Sequence, residues 1–199
     1  MNFINNTIVQ KKLMAFAGLI WFVYVIAHVL SLSSFHFGKQ AFNDFYNWFN
    51  GSIIYWPMLF VLAATLAFHV FTAVTRQLGN NVAIGANRYH HIYPKIIPRF
   101  IAWSGAAMLI AFIVFHFVQM QLLSDLDPYQ QISNIFTQPV MLLVYIFGLI
   151  ALGMHLHHGL TNVLQTLGIS SNQYNLIAIF IVLLLLFGFI SIPVSVIYA

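Results

Sequence analysis

Histidines are the residues of this 199-residue chain with the clearest capacity for chemistry, because it has nine of them and neither cysteine nor glutamate. Without cysteine, thiolate ligation, iron–sulfur clusters and disulfides are excluded. His36, His90 and His91 fall in polar stretches or near interfaces, where a histidine needs no functional explanation. The other six lie in or near long apolar stretches: His28, His69, His116, His155, His157 and His158. An ionisable residue in such surroundings indicates a functional site.

The composition indicates that lipid surrounds the elements that carry these histidines. Hydrophobic residues make up 61% of the chain and charged residues 5%, with a mean hydropathy of +0.90, whereas a soluble domain has about 25% charged residues. The seven basic residues, with a net charge of +4, are too dispersed for a nucleic-acid surface. Five stretches are long enough to span a membrane: 13–33, 54–75, 98–122, 139–165 and 174–197. We therefore predict an all-α integral membrane bundle of five helices in one domain, residues 1–199.

The connecting segments predict less regular structure. Residues 41–50 are aromatic and polar, so we expect them to lie flat at the membrane interface. Asp125, Asp127 and Pro128 predict a loop in the segment 123–138. The apolar run after the lysine pair near the N-terminus is longer than a signal-peptide core, so it is expected to remain as the first span.

Basic residues predict the orientation of the helices. Six of the seven fall at the N-terminus or in and beside the second connection: Lys11, Lys12, Arg76, Arg88, Lys95 and Arg99. Only Lys39 lies elsewhere. The positive-inside rule then places the N-terminus in the cytoplasm and the C-terminus outside.

Two histidines are expected at one depth near the outer side. His28 comes 17 residues after Lys11 in the first helix, and His116 comes 17 residues after Arg99 in the third. Both of these helices run outward. At 1.5 Å per residue, each histidine lies about 25 Å from the cytoplasmic edge.

Two further histidines are expected nearer the cytoplasm. His69 lies seven residues before Arg76, about 10 Å from the cytoplasmic edge. His155, ten residues before Gln165, lies near the end of its inward-running span at a similar depth. The four histidines form two levels, each supplied by two helices and separated by about 15 Å. This arrangement suits two stacked haems, each held by two histidines and enclosed by helices 1–4.

Small residues share the faces of two of these histidines. They are Gly148, Ala151 and Gly159 with His155, and Gly105 with His116. Small side chains let a flat macrocycle approach a helix, and they equally let two helices pack together.

The remaining polar residues near the inner level have secondary roles in this prediction. His157 is about 200° around the helix from His155, so the two cannot face one cofactor, whereas His158, about 60° away, can line the pocket. Arg76 and Asn162 each lie seven residues beyond a predicted inner ligand and are candidates to pair with a haem propionate. Arg76 is equally well interpreted as an ordinary residue flanking a span.

Three segments of the chain resemble the single-subunit, five-helix, di-haem cytochrome b of succinate dehydrogenases and fumarate reductases. They are residues 11–19 leading to His28, residues 99–105 leading to His116, and residues 155–160 with 165–168. The resemblance covers most of the chain, and its strength lies in the order and spacing of the segments. It implies that His69 and His155 hold the inner haem iron, and that His28 and His116 hold the outer one.

The resemblance also implies a function and partners. The chain is expected to relay electrons between an iron–sulfur subunit and membrane quinone, with two b-type haems as cofactors. Succinate or fumarate chemistry is expected on a partner flavoprotein, and no catalytic residue on this chain. Both partner subunits are expected on the cytoplasmic side of a bacterial cytoplasmic membrane. Because the chain has no glutamate, the intramembrane glutamates of some family members have no counterpart here.

Several alternatives remain open at this stage. For the quinone, the candidate proton donors are Tyr24, Ser31, His36 and Asp44, and nothing distinguishes among them. A second alternative for the chain is the di-haem cytochrome b anchor of another respiratory dehydrogenase or of a hydrogenase. A proton-coupled transporter would favour spans interrupted by glycine or proline, whereas Pro193 alone lies well inside a span. In a haem-free anchor, the histidines would form only interhelical hydrogen bonds.

Overall fold

A computed structural model of the protein describes residues 7–82, 99–123, 126–166 and 172–198. These residues form seven α-helices and one 3-10 turn, and the described part contains no strand. The helices are α1 (Thr7–Leu32), α2 (Lys39–Asn50), α3 (Tyr55–Val82), α4 (Arg99–Gln121), α5 (Pro128–Phe136), α6 (Pro139–Thr166) and α7 (Asn172–Tyr198), with the 3-10 turn at Ser33–Phe37. Five of them, α1, α3, α4, α6 and α7, are long and apolar enough to cross a membrane. The predicted all-α membrane bundle is confirmed.

Two of the long helices extend beyond their predicted spans. The first begins at Thr7 rather than at residue 13, and the second continues to Val82, past Arg76. A helix satisfies its own backbone hydrogen bonds, so it can continue from the apolar region into a polar one. Apolar patterning therefore locates the span but not the ends of the helix.

The prediction of a loop over residues 123–138 was wrong for its second half, which is the helix α5. The Asp127 side chain accepts a hydrogen bond from the Gln130 backbone N–H at 2.9 Å, and Pro128 occupies the start of the helix. An aspartate at the N-cap followed by proline is a typical beginning of a helix. Asp127 and Pro128, which were interpreted as loop signals, are therefore helix-start signals; Asp125 lies outside the described residues.

The short elements form a cap on one end of the bundle. The cap consists of the 3-10 turn, α2 and α5, and its core joins Phe35, Phe42 and Ile132 to Ile192 of α7. Phe42 is completely buried, and the ring of Phe35 stacks on that of Tyr129 at 4.3 Å. We call this the cap end, and we call the opposite end, where α3 ends and α4 begins, the loop end.

Some pairs of the long helices pack closely on each other, whereas two other pairs in the described part of the chain do not. Helix α1 packs on α3, α6 and α7, and α6 packs on α4 and α7. The Trp21 indole N–H of α1 also donates to the Leu62 carbonyl of α3 at 3.2 Å. Within the described residues, neither α1 with α4 nor α3 with α6 is a closely packed pair. These two combinations are the ones that carry the paired histidines.

Candidate functional site

Four histidines meet as two pairs within the bundle. At the cap end, the ring centres of His28 on α1 and His116 on α4 are 6.0 Å apart, with an angle of 66° between the rings. Toward the loop end, the ring centres of His69 on α3 and His155 on α6 are 6.1 Å apart, with an angle of 75°. These are the two pairs that the depth argument brings together. Each pair bridges two helices that do not otherwise pack closely.

The separation within each pair suits two axial ligands of one metal ion. A metal–imidazole nitrogen bond is about 2.0 Å long and the ring centre lies roughly 1.2 Å behind that nitrogen, so opposed ligands have ring centres about 6 Å apart. Within the described residues, no group of three or more His, Asp or Glu side chains is arranged to hold a metal. What the structure places together at each site is two histidines.

Hydrogen bonding fixes the tautomer of the loop-end histidine His69. Its Nδ1 lies 3.3 Å from the Met14 carbonyl oxygen of α1. A carbonyl oxygen only accepts, so Nδ1 carries the hydrogen and Nε2 keeps its lone pair. Gly18 faces the same ring, since a Cβ there would lie 3.6 Å from His69 Cε1. Neutral imidazole with a bonded Nδ1–H is the usual state of a metal-binding histidine.

Hydrogen bonding also orients the cap-end histidine His116. Its Nδ1 lies 3.1 Å from the Tyr145 hydroxyl, which in turn donates to Gln119 Oε1 at 2.8 Å. Nothing in the sequence singled out Tyr145 or Gln119, which lie on different helices. Tyr145 is nevertheless three residues, nearly one helical turn, before Gly148, on the part of α6 that faces α4.

Aromatic rings surround the cap-end pair. Tyr24 stacks on His28 with a ring separation of 5.6 Å and an angle of 8°, and Phe189 of α7 lies 5.8 Å from the same histidine. Phe112 stacks on His116 at 5.8 Å. Helix α7, which carries no histidine, thus contributes a ring to this end.

The small residues on the ligand faces prove to be of two kinds. A Cβ at Gly148 would lie 2.5 Å from the Phe112 ring, so this glycine makes room for close packing of α4 on α6. Nothing lies within 4 Å of a Cβ added at Gly105 or Gly159. Ala151 is 1% exposed and belongs to the packed core.

A buried cationic group lies near the loop end. Arg76 is half-buried, and its Nη1 is buried without a hydrogen-bond partner among the described residues. A buried N–H of a guanidinium is costly unless an acceptor meets it. This orphaned atom fits the prediction that Arg76 faces an anionic group such as a carboxylate of a bound cofactor.

The other polar residues of α6 have partners within the protein. His157 Nε2 donates to Asn175 Oδ1 of α7 at 2.8 Å, which agrees with its predicted orientation away from His155. Asn162 Nδ2 donates to His158 Nε2 at 2.9 Å, and both side chains are exposed. His158 and Asn162 therefore lie at the rim of the loop-end pair rather than in its interior.

His36 is more constrained than the sequence indicated. Its Nε2 lies 2.9 Å from the Ser191 hydroxyl and its Nδ1 lies 3.0 Å from that of Ser195, both on α7. The two serines are four residues apart, which places them on one face of a helix. That spacing is the only sequence signal for this contact. His90 and His91 lie outside the described residues.

The candidate proton donors for a quinone have different surroundings. Ser31 donates to the His28 carbonyl at 2.8 Å, so its oxygen accepts from the Tyr46 hydroxyl at 3.1 Å. Burial raises the pKa of Tyr46 to about 12. Asp44 is exposed.

Comparisons with known proteins identify no relative. No known family matches the sequence, no curated protein is significantly similar to it, and no solved structure matches the fold significantly. The two histidine pairs and their surroundings are therefore the basis for proposing a function.

Proposed function

We propose that this chain is a di-haem cytochrome b, the membrane anchor of a succinate:quinone oxidoreductase that relays electrons between an iron–sulfur subunit and membrane quinone. The observation that carries the proposal is the pair of ring separations, 6.0 Å for His28 with His116 and 6.1 Å for His69 with His155. Both separations match the spacing of opposed axial ligands, and each pair joins two helices that do not otherwise pack closely in the described residues. A haem at each pair supplies reversible one-electron transfer.

The protein's own contribution is to fix and shield the ligands. The hydrogen bonds of His69 and His116 hold each ring with Nε2 free to bind iron. A haem held between two histidines would have no open coordination position, which suits electron transfer rather than binding of small molecules. Arg76, whose Nη1 has no hydrogen-bond partner among the described residues, is the residue we assign to a haem propionate at the loop end.

Charge supports a cytoplasmic loop end. Lys39, the one basic residue at the cap end, forms an ion pair with Asp127 at 2.9 Å. The sequence places the other six basic residues at the opposite end of the spans. By the positive-inside rule, the loop end faces the cytoplasm of a bacterial cell, and the cap end faces outside. The flavoprotein and iron–sulfur subunits then dock at the loop end, next to His69 and His155.

The first experiment is a haem count with a reduced-minus-oxidised spectrum of the purified protein. We expect two b-type haems per chain and one haem in each of the variants His28→Ala, His69→Ala, His116→Ala and His155→Ala. His157→Ala is the matched control, because this histidine lies on the same helix but bonds to α7; it should keep both haems. Absence of a b-type signal, or a signal indifferent to all four substitutions, would contradict the di-haem assignment.

A second experiment tests the partner. The chain should co-purify with a flavoprotein and an iron–sulfur protein, and the complex should reduce quinone with succinate or reduce fumarate with quinol. A haem-loaded chain whose partners turn over neither substrate would keep the cytochrome assignment and reject this oxidoreductase.

A further inference from the structure

We infer that Tyr145 and Gln119 tune the electron-donating strength of His116 and so lower the reduction potential of the cap-end cofactor. The inference rests on the proposed function. Both are positioning residues, since they act through the ligand rather than on the cofactor. The direction of the hydrogen bonds from His116 through Tyr145 to Gln119 determines which ring nitrogen of His116 carries the hydrogen.

The first step assigns the hydrogen of Tyr145. Gln119 Nε2 donates to Met141 Sδ at 3.5 Å, so its Oε1 is the end of the amide that faces the tyrosine. The Tyr145 hydroxyl has one hydrogen, which it donates to this Oε1 at 2.8 Å. Toward His116 Nδ1, at 3.1 Å, the phenol oxygen can then only accept. The hydrogen therefore lies on Nδ1, and Nε2 is the free ligand atom.

The second step concerns what holds the pair in place. Gln131, a buried residue of α5, donates through Nε2 to the Gln119 backbone carbonyl at 2.9 Å and to that of Met120 at 3.3 Å. The Tyr145 ring has edge contacts with Phe136 of α5 at 5.0 Å and with Phe112 at 5.4 Å. The cap therefore fixes the last turn of α4 and the tyrosine together.

The third step is electronic. A hydrogen-bond acceptor on Nδ1–H makes the imidazole a stronger donor at Nε2. Because Tyr145 itself donates to Gln119, its oxygen is a better acceptor than an isolated phenol. A stronger donor stabilises the more positively charged oxidised iron and lowers the potential. At the loop end the corresponding acceptor is the Met14 backbone carbonyl, which a side-chain substitution cannot remove.

The test is a redox titration of the purified, haem-loaded full chain carrying Tyr145→Phe. We expect the cap-end signal, identified as the one lost in His28→Ala, to have a reduced-to-oxidised ratio about three- to tenfold higher at a fixed potential, a midpoint shift of about 28 to 59 mV for one electron. The loop-end signal should not move. Gln119→Leu keeps the tyrosine and should shift the same signal in the same direction by less.

Tyr46→Phe is the matched control, because this hydroxyl also lies at the cap end but contacts Ser31 instead of a histidine ring; neither signal should shift. Two haems with unchanged potentials in Tyr145→Phe and Gln119→Leu would overturn the inference and leave the proposed function standing. If Tyr145→Phe loses haem, the Gln119→Leu potential decides: a shift supports the inference and no shift overturns it. A wild-type chain without haem overturns the proposed function and this inference with it.

Discussion

The two histidine pairs have the same internal spacing and different surroundings. The cap-end pair lies among aromatic rings, including Tyr24, Phe112 and Phe189. In the described part of the chain, the loop-end histidines make aromatic contact only with each other. The near-identical spacing is set by the helix framework, while the surroundings are set by residues that differ from one helix end to the other.

The polar groups around the two histidine pairs also differ. At the cap end, His116 is bonded to a neutral hydroxyl that belongs to a closed network with Gln119. At the loop end, the cationic Arg76 and the exposed residues His158 and Asn162 lie toward the rim of the bundle. Burial and nearby charge are the means by which a protein tunes haem potentials. With haems bound as proposed, the two pairs should therefore have different reduction potentials.

The largest effect is expected from a substitution at the loop end, which should alter one pair and leave the other unchanged. Arg76→Gln removes the charged group whose buried Nη1 has no hydrogen-bond partner in the part of the chain that the structure describes. A hydrogen bond to a charged group contributes about 1.5–3 kcal/mol, so the loop-end haem should transfer to a haem-scavenging protein about 10- to 100-fold more readily. Retention is followed by the loss of absorbance of each haem over time.

The cap-end haem of the same Arg76→Gln protein is the internal reference and should be retained as in the wild type. Arg76→Lys keeps the charge but not the planar fork, so its loss rate should lie between the two. Equal loss from both ends, or none from either, would mean that Arg76 is an ordinary flanking residue.

A smaller effect is expected from a substitution at the cap end, next to His116. A Cβ at Gly148 would lie 2.5 to 2.6 Å from three carbons of the Phe112 ring, which stacks on His116. In Gly148→Ala this ring must move, and overpacking of this kind costs about 1–3 kcal/mol. We expect a lower thermal stability in detergent and a broadened or shifted cap-end haem signal, with the loop-end signal unchanged.

Gly105→Ala is the matched control, because nothing lies within 4 Å of the added Cβ. It should leave both signals and the thermal stability close to those of the wild type. If both glycine variants behave alike, contact with Phe112 is not what requires glycine at position 148.

The contrast between Gly148 and Gly105 also marks the limit of prediction from sequence. Apolar run lengths predict the five spans because lipid imposes one length scale on them. Counting residues from basic anchors predicts which histidines share a depth, because the rise of a helix is constant. Counting around the helix cannot tell a glycine that admits a neighbouring ring from one that faces open space.

Contacts between distant segments could not be predicted from the sequence either. The hydrogen bond between His116 and Tyr145 joins residues 29 apart on different helices, and that between His36 and Ser191 joins residues 155 apart. Neither has a characteristic spacing, since each depends on how whole helices pack. The helix α5 is a different case: its Asp127–Pro128 start signal was present and was assigned to a loop.

The smallest expected effect concerns how the cap is held over its end of the bundle. The Gln130 backbone N–H, together with Lys39 and Asn43, holds the pKa of Asp127 below its ordinary value of 3.8. Because the folded pKa lies below the unfolded one, this stabilisation is fully present above the ordinary value and is lost as the pH falls through the folded pKa. The contacts involved join α5 to α2, since Asn43 Nδ2 also donates to the carboxylate at 3.0 Å.

Asp127→Asn tests this contribution, because asparagine also caps a helix but cannot pair with Lys39. Hydrogen exchange in cap peptides should be faster in the variant than in the wild type at neutral pH. The difference should shrink as the pH is lowered from about 6 to about 2, where the wild-type carboxylate becomes protonated. Peptides around His69 and His155 should exchange alike in both proteins throughout. A difference that persists unchanged at the lowest pH would show that the charge of Asp127 does not hold the cap, and that the separation of the two ends depends on packing alone.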